Sequence, residues 1–550
     1  MHTNEFSDAG LPDVALLTRI ANQLFSAPPS SAAAELPIAS APAQVGLVSG
    51  GFPAALRDGP ISSAPAVPDA FGAGLPLSGA APQGFGLPSA AQLQALLMPR
   101  QFDASSAPFY FIEKNPARQA GIQVPGQQAA GLLLAQGTVR PSFDIDRVRR
   151  DFPILQERVN GRQLVWLDNA ATTQKPNCVI ERLKYFYEHE NSNIHRAAHE
   201  LAARATDAYE GAREKVRGFL NAASANEIVF VRGATEAINL VAQSWGRQNI
   251  DKGDEIIISW LEHHANIVPW QQLCAEKGAL LKVIPVDDDG QILLDEYAKL
   301  LSPRTRLVSF TQVSNALGTI TPAAKMTEMA HGVGAKVLID GAQAVSHLRA
   351  DVQALDCDWY VFSGHKVFGP TGIGVLYGKE ALLNATQPWQ GGGNMIEDVT
   401  FEHTRYHQAP GRFEAGTGNI ADAVGLGAAI DYVNGIGIDN INQYEHQLLL
   451  YATGQLKSIQ GLRLIGSAPD KASVLSFVLD GFKTGDVGAA LSREGIAVRS
   501  GHHCAQPILR RFGLESSVRP SLAFYNNRAD VDALVSAVLR IKSGRNSVPH

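Results

Sequence analysis

Lys336-Val-Leu-Ile-Asp-Gly-Ala-Gln343 and Asp358-Trp-Tyr-Val-Phe-Ser-Gly-His-Lys-Val-Phe-Gly-Pro370 are the two stretches that decide the fold of this chain. Each is an apolar run that leads into polar residues, with Asp340 closing the first run and Lys366 following the second. Short apolar runs of this kind are typical of buried parallel strands, whose carboxyl ends lie along one edge of a sheet. We therefore expect Asp340 and Lys366 to lie close together at that edge.

A carboxylate and a lysine in this relation are the two contacts that a pyridoxal phosphate ring needs. The lysine bonds to the cofactor aldehyde, and the carboxylate keeps the ring nitrogen protonated so that the ring can withdraw electrons. A carboxylate that ends an apolar strand, such as Asp340, must also find a charge to offset its desolvation. A protonated pyridine supplies that charge, so the sequence predicts a pyridoxal phosphate enzyme.

Further apolar runs, each followed by a helical stretch, lie at 164–167, 227–231, 255–258 and 306–310. This alternation predicts an α/β protein with a buried, mostly parallel sheet and helices on both faces. Beyond about residue 401 the pattern changes to long helices at 419–432 and 439–458, short strands near 474–478 and a closing helix from about residue 529. We interpret this part as a second, smaller domain.

Composition divides the 550-residue chain further, because residues up to about 140 are mainly Ala, Pro, Gly and Ser with few charges. The predicted organisation is therefore an extension over 1–140, a large domain with an N-terminal arm over 141–400 and a small domain over 401–550. Short helical patterns at 11–25, with Asp13 as N-cap, and from Ser89 interrupt the extension. Such islands are typical of a tail that orders on a partner, although a tail without a partner remains an alternative.

Charge and cysteine content exclude several classes of protein. The formal net charge is −6 and no basic stripe is visible, so neither nucleic acid nor an anionic membrane is an expected partner. No segment is long and apolar enough to span a bilayer, and the N-terminus lacks the basic and apolar regions of a signal peptide. Four cysteines in a chain of this length are no disulfide framework, and the reducing cytosol is the expected location.

Candidate cofactor contacts surround the predicted lysine. Ala234 and Thr235 follow a glycine between a strand and a helix, where free N–H groups can bind a phosphate, and Ser363 and His365 add polar side chains. His263 follows another strand and could stack on the ring and relay protons. A histidine that only caps or packs is the alternative.

Cys504 lies in the loop Val498-Arg-Ser-Gly-His-His-Cys-Ala-Gln-Pro507, which carries Arg499 and precedes Arg510. Neighbouring cations favour the thiolate, the nucleophilic form of cysteine. An inert loop cysteine and a metal ligand beside His502 and His503 are the alternatives. Zinc is not expected, since no second cysteine or histidine pair stands at ligand spacing. Arg499 and Arg519 could each hold a substrate carboxylate in a bidentate fork, or be ordinary solvated arginines.

Together these motifs resemble the SUF-type (group II) cysteine desulfurases, which are fold-type-I pyridoxal phosphate enzymes of the class-V aminotransferase-like group. The resemblance runs from about Phe143 to Val538. Its motifs are Leu167-Asp-Asn-Ala-Ala-Thr-Thr-Gln174, Asn193-Ile-His-Arg-Ala197, Arg232-Gly-Ala-Thr-Glu-Ala-Ile-Asn239, Glu262-His-His-Ala-Asn266, Asp340-Gly-Ala-Gln343, Ser363-Gly-His-Lys366, Arg412-Phe-Glu-Ala-Gly-Thr417 and Arg499-Ser-Gly-His-His-Cys-Ala505. The resemblance implies a seven-stranded sheet in the large domain, a small α+β domain and a homodimer with the cofactor near the subunit interface.

The resemblance also implies a role for each matching residue. By this resemblance Lys366 would form the covalent bond to the cofactor, Asp340 would contact the ring nitrogen and Gln343 the ring oxygen. His263 would stack on the ring. The phosphate would be held by Ala234, Thr235, Ser363, His365 and Thr417 of the partner subunit. For the substrate, the implied residues are His195, Asn315, Arg499 and Arg519. No metal is implied.

The implied reaction removes sulfur from L-cysteine. Lys366 takes the Cα proton, the Cys504 thiolate attacks the substrate sulfur, and L-alanine leaves while a persulfide remains on Cys504. A selenocysteine lyase or another lyase of the same class is the nearest alternative, and a protein acting only as a scaffold is a third. An acceptor protein, a small thiol such as glutathione or stored elemental sulfur could receive the sulfur.

Two departures from the family pattern stand near the implied interface. Gly418 replaces a proline that many relatives carry, and Asn394 stands where an acidic residue is frequent. The extension, with its short helix at 11–25, resembles that of cysteine desulfurases packaged as cargo in family-two encapsulin shells. This implies an encapsulin shell partner and a location inside a cytoplasmic nanocompartment. An ordinary SUF-type enzyme of iron-sulfur cluster assembly, with a tail that has no function, is the alternative.

Overall fold

The computed structural model describes residues 144–195 and 198–544. The strands are β1 (Arg158–Val159), β2 (Arg162–Gln163), β3 (Val165–Trp166), β4 (Ile228–Val231), β5 (Glu255–Ser259), β6 (Leu280–Ile284), β7 (Thr305–Thr311), β8 (Lys336–Asp340), β9 (Trp359–Ser363), β10 (Gly374–Gly378), β11 (Ile396–Val399), β12 (Thr404–Tyr406), β13 (Leu462–Leu464), β14 (Phe477–Leu479), β15 (Ile496–Ala497), β16 (Arg499–Gly501) and β17 (Ser517–Arg519).

The helices are α1 (Ile145–Arg150), α2 (Asn177–His189), α3 (Glu200–Phe219), α4 (Ala234–Val241), α5 (Arg247–Asn249), α6 (Val268–Lys277), α7 (Leu294–Leu300), α8 (Ala323–His331), α9 (Val352–Leu355), α10 (Glu380–Ala385), α11 (Ile420–Ile436), α12 (Ile438–Lys457), α13 (Thr484–Arg493), α14 (Gln506–Arg511) and α15 (Arg528–Lys542). Short 3-10 turns precede several strands and helices, and a π-helical segment, Ala242–Gly246, joins α4 to α5.

The large sheet has seven strands in the order β4-β10-β9-β8-β7-β5-β6. β10 runs antiparallel to both of its neighbours, and every other adjacent pair is parallel. The predicted α/β class with a mostly parallel seven-stranded sheet is therefore confirmed. The register pairs Thr311 of β7 with Asp340 of β8, so the carboxyl ends of these strands meet at one edge.

Apolar packing explains why these segments form strands. Every residue of β4, β5, β9 and β10 is buried, as expected for strands covered by helices on both faces. The backbone also packs closely at one point, where a Cβ on Gly374 would lie 2.4 Å from the Cα of Gly233. β10 can therefore pass beside the turn that leads into α4 only because residue 374 is glycine.

A second, four-stranded antiparallel sheet has the order β13-β14-β17-β16. It packs with α12, α13 and α15 around a separate apolar cluster that includes Leu448, Phe477 and Leu534. The predicted helices at 419–432, 439–458 and from about 529 correspond to α11, α12 and α15. Of these, α11 packs against α2 and α3.

One predicted strand lies elsewhere than expected. The run 164–167 was predicted as part of the large parallel sheet, but only two of its residues form a strand, β3, and this strand pairs in parallel with β15. Pairing with β15 and a bridge between Asp168 and Ser521 hold this segment against the C-terminal part of the chain instead. The segment therefore joins the beginning of the described chain to its C-terminal part.

Among the described residues, no helix combines the length and apolar character that a membrane crossing requires. The predicted extension over 1–140, including the helical patterns at 11–25 and from Ser89, lies outside the described residues.

Candidate active site

A cavity opens at the carboxyl edge of the large sheet, beside the loop that follows β16. Most of the predicted site residues line it: Ala234, Thr235, His263, Asn315, Asp340, Gln343, Ser363, His365, Lys366, Arg499, Cys504 and Arg519. Ala170, Ala171, Thr311 and His503 also contribute to its wall. The structure thus brings side chains from segments hundreds of residues apart into one place.

Asp340 and Lys366 both line this cavity, and the charge of each affects the pKa of the other. Asp340 is 5 % exposed, and its Oδ1 accepts a hydrogen bond from the N–H of Ala342 at 2.9 Å. Burial raises the pKa of Asp340, while the Ala342 N–H and the nearby Lys366 oppose that shift. Burial also lowers the pKa of the Lys366 amine to about 8, although the Asp340 charge opposes this. Lys366 is therefore easier to deprotonate than an ordinary lysine.

The amino end of α4 borders the same cavity. Ser363, the last residue of β9, accepts a hydrogen bond from the N–H of Ala234 at its Oγ, 2.9 Å away. Thr235 follows on the exposed side of the helix, and His365 is half-buried, so burial lowers the pKa of its ring to about 4. Free N–H groups and hydroxyls at a helix amino end suit a phosphate group.

His263 lies over the cavity in a fixed tautomer. Its Nδ1 accepts a hydrogen bond from the N–H of Ala265 at 3.0 Å, which leaves the proton on Nε2. Burial, together with the positive charge of nearby Lys366, lowers the pKa of His263 to about 3, so the ring is neutral at neutral pH. The preceding Glu262 is fully buried and holds Asn266 Nδ2 at 2.6 Å, so it fixes the turn that carries His263.

A chain of polar contacts runs from the cavity wall to α12. Gln343 Nε2 lies 3.3 Å from His347 Nε2, and His347 Nδ1 lies 2.6 Å from Glu445 Oε2. His347 and Glu445 are only 4 % and 2 % exposed. Gln343 Oε1 is buried without a partner in the described part of the chain. A half-turn of the Gln343 amide would offer its N–H to the cavity and its oxygen to His347.

Two arginines meet on one carboxylate at the cavity wall. Arg519 Nη2 lies 3.2 Å from Asp168 Oδ1, and Arg499 Nη2 lies 3.3 Å from Asp168 Oδ2. Arg519 also donates to the Asn315 carbonyl oxygen at 3.0 Å, and its side chain is 2 % exposed. Burial lowers the pKa of Arg519 to about 10, so this guanidinium remains charged at neutral pH. Asp168 thus holds the guanidinium groups of both arginines in place.

The Cys504 loop is held against this wall by hydrogen bonds from the side chains of Asn315 and His503. Asn315 Nδ2 donates to the His503 carbonyl oxygen at 2.7 Å, and His503 Nε2 lies 2.8 Å from Ser517 Oγ. His503 and Cys504 both have left-handed backbone angles, with φ of 53° and 52°. Residues other than glycine rarely adopt this conformation, so the contacts on both sides maintain the tight turn that presents the half-buried thiol.

Two predicted site residues lie away from the cavity. His195 Nε2 lies 3.0 Å from Glu210 Oε1 on the surface. Thr417 lines a separate hollow with Phe186 and Tyr187. The expectation for Thr417 concerned a second subunit, so its role and that of His195 stay predictions. Of the two departures from the family pattern, Asn394 donates to the Glu414 carbonyl oxygen at 3.1 Å.

Several buried polar atoms of the cavity wall are available to bind a ligand. Among the described residues, the buried side-chain atoms without a hydrogen-bond partner include four in this wall: Asn315 Oδ1, Gln343 Oε1, His503 Nδ1 and Arg519 Nε. Such atoms are costly to bury unless a ligand satisfies them. A carboxylate for a ring nitrogen, an amine for an aldehyde and a helix amino end for a phosphate make pyridoxal phosphate a group that these residues fit.

Comparison with known proteins shows the family to which the chain belongs. The Aminotransferase class-V family matches residues 165–534, and the chain belongs to that family. A cysteine desulfurase of Synechococcus elongatus is 74 % identical over 402 residues, which cover 73 % of this chain and 64 % of that protein. A probable cysteine desulfurase of Mycobacterium leprae is 62 % identical over 406 residues, which cover 74 % of this chain and 66 % of that protein. The chain covers less than two thirds of the length of these relatives.

Solved structures show the same architecture. The cysteine desulfurase CsdA of Escherichia coli, in an S-sulfonic acid form, matches with a TM-score of 0.68 and 41 % identity, over 73 % of this chain and 99 % of that one. An apo cysteine desulfurase of Thermococcus onnurineus matches with a TM-score of 0.69 and 36 % identity, over 72 % of this chain and 98 % of that one. The fold is therefore the predicted fold type I.

Sequence patterns did not identify three residues at or behind this wall: Asp168, His347 and Glu445. Asp168 stood in a quoted motif, but nothing local showed that it would join Arg499 to Arg519. Glu445, behind Gln343 and His347, lies on α12, for which the sequence predicted only a long helix. A carboxylate on the buried face of α12 was the one signal that could have identified it, because such a group requires a partner.

Proposed function

We propose that this chain is a pyridoxal-phosphate-dependent cysteine desulfurase, which takes sulfur from L-cysteine, holds it as a persulfide on Cys504 and releases L-alanine. The observation that carries the proposal is the single cavity lined by Asp340, Lys366, Cys504 and the pair Arg499 and Arg519. The cysteine desulfurases named above support the same activity. Each of these groups has a separate task in the reaction.

When bound, pyridoxal phosphate supplies an electron-withdrawing ring that acidifies the Cα–H of an amino acid substrate. Asp340 would hold the ring nitrogen in its protonated form, and Ser363, Thr235 and His365 would hold the phosphate at the amino end of α4. Lys366 would carry the cofactor and later move the Cα proton at Nζ. Its pKa of about 8 leaves an appreciable neutral fraction of the amine near neutral pH.

The arginine pair would orient the substrate. Arg519 is buried, charged and already aligned by Asp168 and the Asn315 carbonyl, so it can offer its remaining N–H groups to an α-carboxylate. Arg499 is half-exposed and closes the site from the solvent side. His263 would cover the ring face as a neutral imidazole, and Gln343 would contact the ring oxygen.

Sulfur transfer would take place between two sulfur atoms. The Cys504 thiolate forms a bond to the substrate sulfur while the Cβ–S bond of the substrate breaks. The electron pair of that bond stays with the three-carbon fragment, which takes up protons and leaves as L-alanine. Cys504 retains the transferred sulfur as a persulfide. An acceptor protein or a small thiol would then collect it at the open side of the cavity.

A stoichiometry experiment tests this proposal. The cofactor-loaded wild-type protein and Cys504→Ser are each mixed with L-cysteine, and L-alanine and protein-bound persulfide are measured in the same samples. We expect one persulfide per L-alanine in the first turnover of the wild type, and neither product above background in Cys504→Ser, although its cofactor absorbance is unchanged. Equal L-alanine formation by both proteins would refute the role of Cys504. Selenocysteine is tested as a second substrate of both proteins. A selenocysteine lyase that does not need the thiol would form L-alanine from it even in Cys504→Ser.

We also propose that the active form is a SUF-type homodimer. In the single chain, Thr417 lies away from the cavity although the resemblance places it on the cofactor phosphate, and a second copy would supply it. Sedimentation of the full chain, compared with Thr417→Ala, tests this. The variant should remain a dimer and bind the cofactor more weakly, whereas a monomeric wild type with full activity would contradict the proposal.

Residues 1–140 are proposed as a segment that loads the enzyme into an encapsulin shell. The Ala/Pro-rich composition and the short helical pattern at 11–25 support this. Co-expression of the full chain and of a truncation beginning at about residue 141 with a shell protein provides the test. The truncation should keep its desulfurase rate but no longer co-purify with shells. Packaging of both proteins, or of neither, would contradict the proposal.

A further inference from the structure

The Cys504 loop touches a histidine that no step of the proposed reaction uses. The His264 N–H donates to the Cys504 carbonyl oxygen at 2.7 Å, so the turn after β5 is fastened to the loop after β16. The rings of His264 and His502 stack with centroids 5.7 Å apart and an interplanar angle of 24°. Two imidazoles from separate segments are thereby placed beside one thiol.

These three side chains have the geometry of a metal site. One ring nitrogen of His264, one of His502 and the Sγ of Cys504 all lie within 4.8 Å of one another. His502 Nδ1 accepts a hydrogen bond from the Cys504 N–H at 3.1 Å, and His264 Nε2 accepts one from the Gln506 N–H at 3.2 Å. A nitrogen that accepts a hydrogen bond carries a lone pair, which is the form that binds a metal.

Zinc suits this set of ligands best, although local spacing around Cys504 did not predict it, because His264 comes from a distant part of the chain. One thiolate and two imidazoles form a borderline-soft donor set, and zinc binds such sets tetrahedrally with one position left for water. Its usual bond lengths place neighbouring ligand atoms about 3.3–3.6 Å apart, so the side chains would close in by roughly 1 Å. His502 is exposed and Cys504 is half-buried, which leaves a path from solvent.

We propose that His264, His502 and Cys504 bind one Zn²⁺ ion, and that the bound ion blocks the Cys504 thiol. Binding replaces the thiol proton, which is released to solvent, and the two backbone hydrogen bonds to the rings give way to metal bonds. The occupied sulfur is then unable to attack another sulfur atom. The inference depends only on these three side chains, and not on the proposed desulfurase reaction.

A protection experiment tests the site. The cofactor-loaded full chain is treated with iodoacetamide at rising Zn²⁺ concentration, without L-cysteine, and alkylation is measured by mass spectrometry on the Cys504 peptide. Micromolar Zn²⁺ should protect Cys504 in the wild type. His502→Ala should need at least about tenfold more Zn²⁺ for the same protection, because even outer partners of a metal change affinity by roughly 10–100-fold. His446→Ala, which alters an exposed histidine on α12, should match the wild type.

Two further measurements complete the design. Calorimetric titration should find one Zn²⁺ fewer per chain in Cys504→Ser than in the wild type, and circular dichroism confirms that each variant is folded. Equal protection in the wild type and His502→Ala would overturn the proposal, because the thiol alone would then bind the ion. Failure of Zn²⁺ to protect the wild type would overturn it as well. Since no turnover is measured, neither result depends on desulfurase activity.

Discussion

Asp340→Asn is the substitution that tests the electrostatics of the site most sharply. The amide keeps the size of the carboxylate and can still accept the Ala342 N–H bond that now measures 2.9 Å. It removes only the negative charge, which is buried at the end of β8 and which raises the pKa of Lys366. The variant should therefore fold normally while the cofactor ring loses the partner of its protonated nitrogen.

The size of the effect follows from burial. Removing one member of a buried charge pair costs about 3–5 kcal/mol, because the other charge is left uncompensated. With Asp340 only 5 % exposed, solvent does little to reduce this cost. At roughly 1.4 kcal/mol for each factor of ten, kcat/KM should fall about a hundredfold to a few thousandfold. Much of the covalently held cofactor should be retained, so the loss appears mainly in the rate.

The assay measures L-alanine formation by protein whose cofactor content is first equalised from its visible absorbance. Asp288→Asn is the matched control, since Asp288 is a 97 % exposed aspartate that pairs with Arg511 outside the cavity. It should retain the wild-type rate. A fully loaded Asp340→Asn protein that works within about threefold of the wild type would refute the reasoning, as such a value corresponds to less than 1 kcal/mol.

Further predictions concern other residues in and behind the same wall. Arg519→Lys keeps the charge but loses the fork that reaches Asp168, so KM for L-cysteine should rise about tenfold or more in steady-state assays, with little change in the folded state. In cofactor-free protein, acylation of Lys366 should increase with pH and level off above about pH 8. The reason is that burial lowers the pKa of Lys366 to about 8 and only the neutral amine reacts. Labelling that is flat from pH 6 to 9 would contradict this. Glu445→Leu leaves the buried His347 without its 2.6 Å partner and should lower the free energy of unfolding in urea by about 1–3 kcal/mol, and an unchanged transition midpoint would contradict it.

Local sequence patterns were sufficient for the large sheet and for most of the cavity wall. Strands such as β8 are apolar throughout and end in polar residues, so the edge where Asp340 and Lys366 meet follows from the fold class alone. The antiparallel direction of β10 could not be predicted, because an apolar run between glycines does not indicate the direction of the strand. The close approach of Gly374 to Gly233 became visible only in the structure.

Contacts between distant segments account for what the sequence could not show. Asp168 and Arg519 are 351 positions apart, and their meeting depends on β3 pairing with β15 rather than joining the large sheet. His264 and the Cys504 loop come together in the same way, through the packing of two loops from different sheets. No periodicity or spacing rule connects such segments, and only the packed chain reveals them.

The most direct test of the central claim follows one sulfur atom. Cofactor-loaded wild-type protein and Lys366→Ala are each incubated briefly with L-cysteine that carries radioactive sulfur, and the label is then located by peptide mapping without reducing agents. Label on the Cys504 peptide of the wild type, and none on that peptide in Lys366→Ala, is the predicted result. Label on another cysteine, or on Cys504 in both proteins alike, would contradict the account.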